Sequence, residues 1–315
     1  MRLGMERGAQ QARSFWRILS SVSVSEVAQE AGRPFALALV GEPENRARAL
    51  ALLYPGETRT THPAIRLFDS TAPEHGFPSE SGSYDVVIDA GGGRINAPAG
   101  LPLYSVDDLG GWDRVIERVL DDRRDLQVSL ARRFPGIRAS VAHRIVHETA
   151  VANAHLAMLN ALPGVFPLLG ALVPTAILGD IVLLTKNQAM MLLRLAAVHG
   201  RTLDLRERSR DLPPLLGNAF GWRTLARELV MLVPGGIGVV ARGAIAYAGT
   251  YAVGIAATRL YAHGERPTRA QLRKLYREAL GRARSVVLSL RRAPSGARSA
   301  LPPASQPGRS GDNRD

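Results

Sequence analysis

The chain has 315 residues, 46% of them hydrophobic, with a net charge of +12 and no cysteine. That length supports two domains with cores of their own, and the apolar content excludes a largely disordered chain. The missing cysteine excludes disulfides and thiolate metal sites, which fits a reducing compartment.

The opening stretch "MRLGMERGAQQARSFWRILSSVSVSEV" starts basic, but serines interrupt its only apolar run, so no export signal is expected. Residues 1–33 read as a helical lead-in, with Phe15, Trp16, Leu19 and Val22 at helical spacing. Over 34–122 the texture changes. Strands are predicted at 34–40, 64–70, 84–90 and 101–106, with helices at 44–54 and 111–122. This alternation predicts a small parallel α/β layer.

Residues 126–292 read as an all-helical domain. A long helical run at 137–162 closes on Pro163-Gly164, and further helices are predicted at about 168–199, 204–212, 218–232, 237–262 and 268–292. Thr268 and Gln271 have capping-box spacing at the start of the last one. Residues 293–315, rich in Pro, Ser and Gly, read as a disordered basic tail.

The stretch "ALALVGEPENRARAL" (36–50) poses the functional question, because an apolar strand meets Gly41 as at a nucleotide-binding loop. Such a loop reads G-x-x-x-x-G-K-[ST]: glycines admit phosphate oxygens, lysine bridges the terminal phosphates, and the hydroxyl binds magnesium. Laid from Gly41, the four defining positions hold Gly41, Arg46, Ala47 and Arg48. The only lysines in the chain, Lys186 and Lys274, follow no glycine-rich turn. The strand "YDVVIDAGG" (84–92) ends in Asp89 with Gly91 and Gly92 beyond it, where a magnesium-supporting aspartate and a glycine-bearing switch would lie. No guanine-reading N-K-x-D follows "PLYSV". Gly41, Arg46, Arg48, Asp89, Gly91 and Gly92 therefore read as vestiges of a nucleotide loop, with Arg46 or Arg48 as the substitute charge if any phosphate still binds. No cofactor is expected.

"HRIVH" (143–147) sets two histidines one helical turn apart, but Arg144 stands where a zincin motif needs glutamate. The pair reads as part of a helix–helix contact, and no metal site is expected. No G-x-S-x-G elbow is present.

Two apolar stretches, 156–185 and 229–258, each carry one charge: Asp180 in the first and Arg242 in the second. Each is long enough to span a membrane but is interrupted by Pro and Gly, as suits a buried hairpin, a re-entrant segment or a kinked span. Asp180 and Arg242 are expected to form a buried pair. Ala244, Ala248, Ala252 and Ala256 recur at every fourth position, a smooth ridge for close helix approach.

In the last helix Leu272, Leu275, Tyr276, Ala279, Leu280, Val287 and Leu290 trace an apolar face beside Arg269, Arg273 and Arg277. From Gly264 to Asp315 there are twelve Arg or Lys and four Asp or Glu, a net of +8. A basic amphipathic helix of this kind predicts contact with an anionic membrane surface or a protein partner. Nucleic acid is disfavoured, since no aromatic residues interleave with the arginines.

Around "EAGRPFALALVGEPENR" (30–46) the sequence resembles the start of the G domain in bacterial GTPase-like proteins. "HETAVANAHLAMLNALPGVFPLLG" (147–170), "LTKNQAMMLLRLAAVHG" (184–200), "AFGWRTLARELVMLVPGG" (219–236) and "AIAYAGTYAVGIAATRLYAHG" (244–264) together resemble the helical domain of unknown function of the YcjF-type family. That resemblance implies an all-helical, membrane-associated module of the sort attached to Era-like or Obg-like GTPases. On it, Asp180, Lys186, Asn187 and Gln188 fall at the family's polar signature. The expectation is thus a non-catalytic, pseudo-GTPase-like protein on the cytoplasmic face of a membrane, acting as an interaction scaffold with an unknown protein partner and open to self-association. The readings that compete with it are a divergent GTP-binding enzyme and a soluble helical scaffold.

Overall fold

A computed structural model describes residues 24–57, 65–69, 84–92, 100–159, 173–203 and 238–292. Phe15, Trp16, Leu19 and Val22, the helices expected at 204–212 and 218–232, and the 293–315 tail lie outside the described residues. So do the breaks at Pro163-Gly164, Pro167, Gly170 and Pro234-Gly235-Gly236.

Four short strands form one all-parallel sheet: β1 (Leu37–Gly41), β2 (Ile65–Asp69), β3 (Val86–Asp89) and β4 (Leu103–Ser105), in the order β2-β1-β3-β4. Leu39 of β1 sits opposite Leu67 on one side and Ile88 on the other. Side chains alternate across the sheet. Leu37, Leu39, Val86, Ile88 and Tyr104 join the main core, while Ala38, Val40 and Val87 form a second cluster bordered by Phe68, Tyr84, Leu101 and Leu103. Both faces of β1 and β3 are therefore buried, which is why these strands read as unbroken apolar runs.

The helices are α1 (Val24–Gly32), α2 (Pro43–Leu53), α3 (Val106–Leu109), α4 (Trp112–Asp122), α5 (Gln127–Arg133), α6 (Arg138–Leu159), α7 (Val173–Val198), α8 (Gly238–His263) and α9 (Arg269–Arg292). Pro174 stands at the second position of α7, where its missing N–H costs nothing, so it opens that helix instead of breaking it. Phe134, fully buried after α5, makes edge-to-face contacts with Phe35 and Tyr54, both at 5.6 Å. Through it one apolar core runs from the inner face of the sheet into the helices. The segment before β1 belongs to the same body: α1 packs on α5 and α7, and Glu30 accepts two hydrogen bonds from Arg194, at 2.6 and 2.8 Å.

The tightest helix pair is α6 with α8, and small residues make it so. A Cβ at Gly254 would lie 2.6 Å from a Val146 methyl, and one at Gly243 would lie 2.7 Å from Met158 Cγ. Ala244, Ala248, Ala252 and Ala256 are all buried along the same helix. On the outer side of α8 lies α9, whose Leu272, Tyr276, Ala279 and Ala283 are buried. Its capping box forms as expected, with Thr268 N donating to Gln271 Oε1 at 2.8 Å and Gln271 N donating to Thr268 Oγ1 at 3.2 Å. Among the described residues no helix is long and apolar enough to cross a membrane.

Candidate functional site

Open parallel sheets bind ligands beyond the carboxyl ends of their strands, where the strand order reverses. Here the chain leaves β1 for β2 on one side and returns to β3 on the other, so the reversal lies between β1 and β3. Gly41, Asp89, Gly91 and Gly92 do converge on that crevice.

The crevice is filled by the chain itself. A single residue, Glu42, separates the end of β1 from Pro43, the first residue of α2. Arg46 and Arg48 lie in α2, within the helix expected over 44–54, and both are engaged by acids. Arg46 pairs with Asp69 at 3.7 Å, and Arg48 with Glu44 at 3.9 Å on its own helix. From the other side Gly91 and Gly92, at φ 89° and 96°, fold over the start of α2. Asn45 Nδ2 donates to the Gly91 carbonyl at 3.0 Å. A Cβ on Gly92 would stand 2.8 Å from Glu42 Cγ and 2.9 Å from Asn45 Nδ2. Gly41, at φ 146°, has Ala90 and the Gly91 carbonyl 3.1 Å from the position of its missing Cβ.

Asp89 is buried and acts as a turn cap, its Oδ1 accepting from Gly91 N at 2.9 Å. Burial pushes its carboxyl above the ordinary range, helped by the charges of Asp107 and Asp108 and opposed by hydrogen bonds from Gly91 and Ser105. Asp107 stands directly over Gly91, its carboxylate 3.0 Å from where a Cβ would be. With Glu42 and Asp69, these carboxylates give the crevice the wrong sign for a phosphate. Sequence reading missed Asn45, Asp69 and Asp107. Only Asp69, at the end of a predicted strand, carried a signal.

In the helices, Asn187 and Gln188 belong to a polar joint. Asn187 Nδ2 donates to Asn153 Oδ1 at 2.9 Å, Asn153 Nδ2 donates to Thr250 Oγ1 at 2.9 Å, and Gln188 Nε2 reaches the same hydroxyl at 3.2 Å. Asn153 and Thr250 are essentially sealed from solvent. This joint ties α6, α7 and α8 at one level, and a satisfied buried network of this kind fixes helix register. Lys186 is exposed beside it. Arg242 is also exposed, so its expected burial in a pair with Asp180 is corrected; the side chain of Asp180 lies outside the described residues.

His143 and His147 meet α8 as expected of a helix contact. Their rings stack at 6.4 Å and face a second stack, Tyr247 on Tyr251 at 5.7 Å. His147 Nδ1 lies 3.1 Å from the Tyr247 hydroxyl and His143 Nε2 lies 3.3 Å from that of Tyr251. The Arg282 guanidinium of α9 covers Tyr251 at 5.3 Å. Burial and the neighbouring His143 lower the pKa of His147.

Comparison of the chain with protein-family models, with curated proteins and with solved structures finds no match.

Proposed function

We propose that this protein is a non-catalytic interaction scaffold held at an anionic, cytoplasm-facing membrane surface. Its α/β layer is a pseudo-GTPase-like platform kept for shape, and its helical part provides the docking body for an unidentified protein partner. The observation that carries this reading is the one-residue turn from Gly41 to Pro43, closed over by Gly91 and Gly92. A phosphate cradle needs several backbone N–H groups turned toward one point. Here Pro43 has no N–H, Arg46 and Arg48 face carboxylates, and Asn45 holds the opposite turn shut.

Two features support the membrane clause. Eight of the twelve net positive charges follow residue 263, and Arg273, Lys274 and Arg277 point outward from α9. Because the apolar face of α9 is buried on α8 over residues 272–283, the attraction to anionic lipid rests on charge, so it weakens with salt.

Titration calorimetry with GTP and ATP in the presence of magnesium tests the first clause. Absence of saturable heat is expected; saturation at micromolar nucleotide supports a divergent GTP-binding enzyme instead. Fractionation tests the second: recovery wholly in the high-speed supernatant, without detergent or added salt, leaves a soluble helical scaffold.

A further inference from the structure

We infer that Arg138, His199 and Arg201, at one end of the helical bundle, form a binding site for a phosphate group, carried by an anionic lipid headgroup or free in solution. The site lies far along the chain from the sheet crevice and uses none of its residues.

Its geometry follows from how three helices end. Gly200, at φ 68°, closes α7: its N–H donates to the Ala197 carbonyl and that of Arg201 to the Ala196 carbonyl, both at 2.9 Å. This turn aims Arg201 at the last turn of α8, where Nε and Nη2 both donate to the Tyr261 carbonyl, at 3.0 and 2.8 Å. Arg138 does the same for α5, donating from Nε to the Ala131 carbonyl and from Nη2 to that of Arg132, each at 3.2 Å. Arg138 Nη2 also lies 3.9 Å from the position a Gly200 Cβ would take, so its guanidinium stands beside the turn that carries His199 and Arg201, and both guanidinium charges act on the His199 ring.

Capping explains two nitrogens of each guanidinium. It leaves Nη1 of both uncommitted among the described residues, on forks already fixed in place. Nor does capping account for His199, whose Nε2 is buried with no hydrogen-bond partner among the described residues. Arg132 and His263 add to the positive field, and Glu57 is the acid that faces Arg138. Rigid N–H donors, an orphaned ring nitrogen and surplus positive charge together suit an oxygen-rich dianion.

The lipid source rests on the membrane reading above; the phosphate source does not. Imidazole NMR of the full chain, titrated with inorganic phosphate, reads the site in the unaltered protein. His199 resonances are expected to shift and saturate while exposed His155 stays still, and the His199 pKa is expected to rise from about 4 as the imidazolium gains an anion. Arg201→Gln should weaken this binding about tenfold or more. A His199 signal that does not move, or moves equally in Arg201→Gln, overturns the site. Flotation on phosphatidylcholine vesicles with and without phosphatidylglycerol separates the sources. Loss of flotation in Arg201→Gln identifies the headgroup, and saturable phosphate binding with unchanged flotation identifies free phosphate. Equal flotation of both proteins with a silent His199 removes the site and leaves the membrane reading standing.

Discussion

A methyl group added at Gly92 must displace the Glu42 and Asn45 side chains, which stand within 3 Å of its position, at a φ of 96° that L residues rarely adopt. Gly56 also has positive φ, 82°, but open space around it. Gly92→Ala should therefore cost about 2–4 kcal/mol, strain plus collision, against about 1–2 kcal/mol for Gly56→Ala, as read by denaturant unfolding. Equal losses would mean that the crevice is not closed there. The polar joint makes a similar contrast. Asn153→Ala strands Asn187, leaves Thr250 with Gln188 alone and should cost about 1–3 kcal/mol, while Arg242→Ala, on an exposed position, should stay within about 0.5 kcal/mol. Histidine sets the pH response. Burial and the charges of Arg138, Arg201 and His263 depress the His199 pKa to about 4, from an ordinary 6.5. A folded pKa below the unfolded value means that folding favours the neutral ring. That contribution is complete above pH 6.5 and is lost as pH falls toward 4, with His147 acting in the same direction. Thermal stability should fall over this window in low-phosphate buffer, and His199→Gln should flatten the fall.

At the scale of elements, α6 and α8 approach closely because Gly243 and Gly254 present no side chain where Met158 and Val146 pack. Gly254→Ala should cost about 1–3 kcal/mol by overpacking, and adding Val146→Ala should restore part of it, a coupling that thermal unfolding of the double-mutant cycle measures. Strands and helices were legible in the sequence because their patterns are local. The runs around Leu39, Leu67, Ile88 and Tyr104 each became a strand, and the expected helices 44–54, 111–122, 237–262 and 268–292 start and stop within one residue of α2, α4, α8 and α9. The turn at Glu42 was less legible. Pro43 is well suited to the first position of a helix, so "GEPENR" carried the closure of the loop, but matching a loop pattern to it hid that signal. Arg242 failed for another reason: alanine-rich helices do not mark their faces, so an exposed arginine and a buried threonine look alike in "VVARGAIAYAGTYAV". The joint of Asn153, Asn187, Gln188 and Thr250 joins residues from three helices, which no spacing reveals.

The described residues are tied by one apolar core that crosses from sheet to helices through Phe134, and by the Glu30–Arg194 pair that holds α1 to α7. The α/β layer has no independent inner face, since the residues of that face pack into the shared core. Charge is organised at the same scale: carboxylates gather at the sheet crevice, and arginines gather where α5, α7 and α8 end and on α9. The claim on which this account turns is that the crevice between β1 and β3 is occupied by Glu42, Asn45, Gly91 and Gly92. Following the backbone amide signals of Gly91 and Gly92 by NMR while GTP and magnesium are added tests it most directly. Unchanged signals at millimolar nucleotide are the predicted result; a saturable shift of both glycines would contradict it.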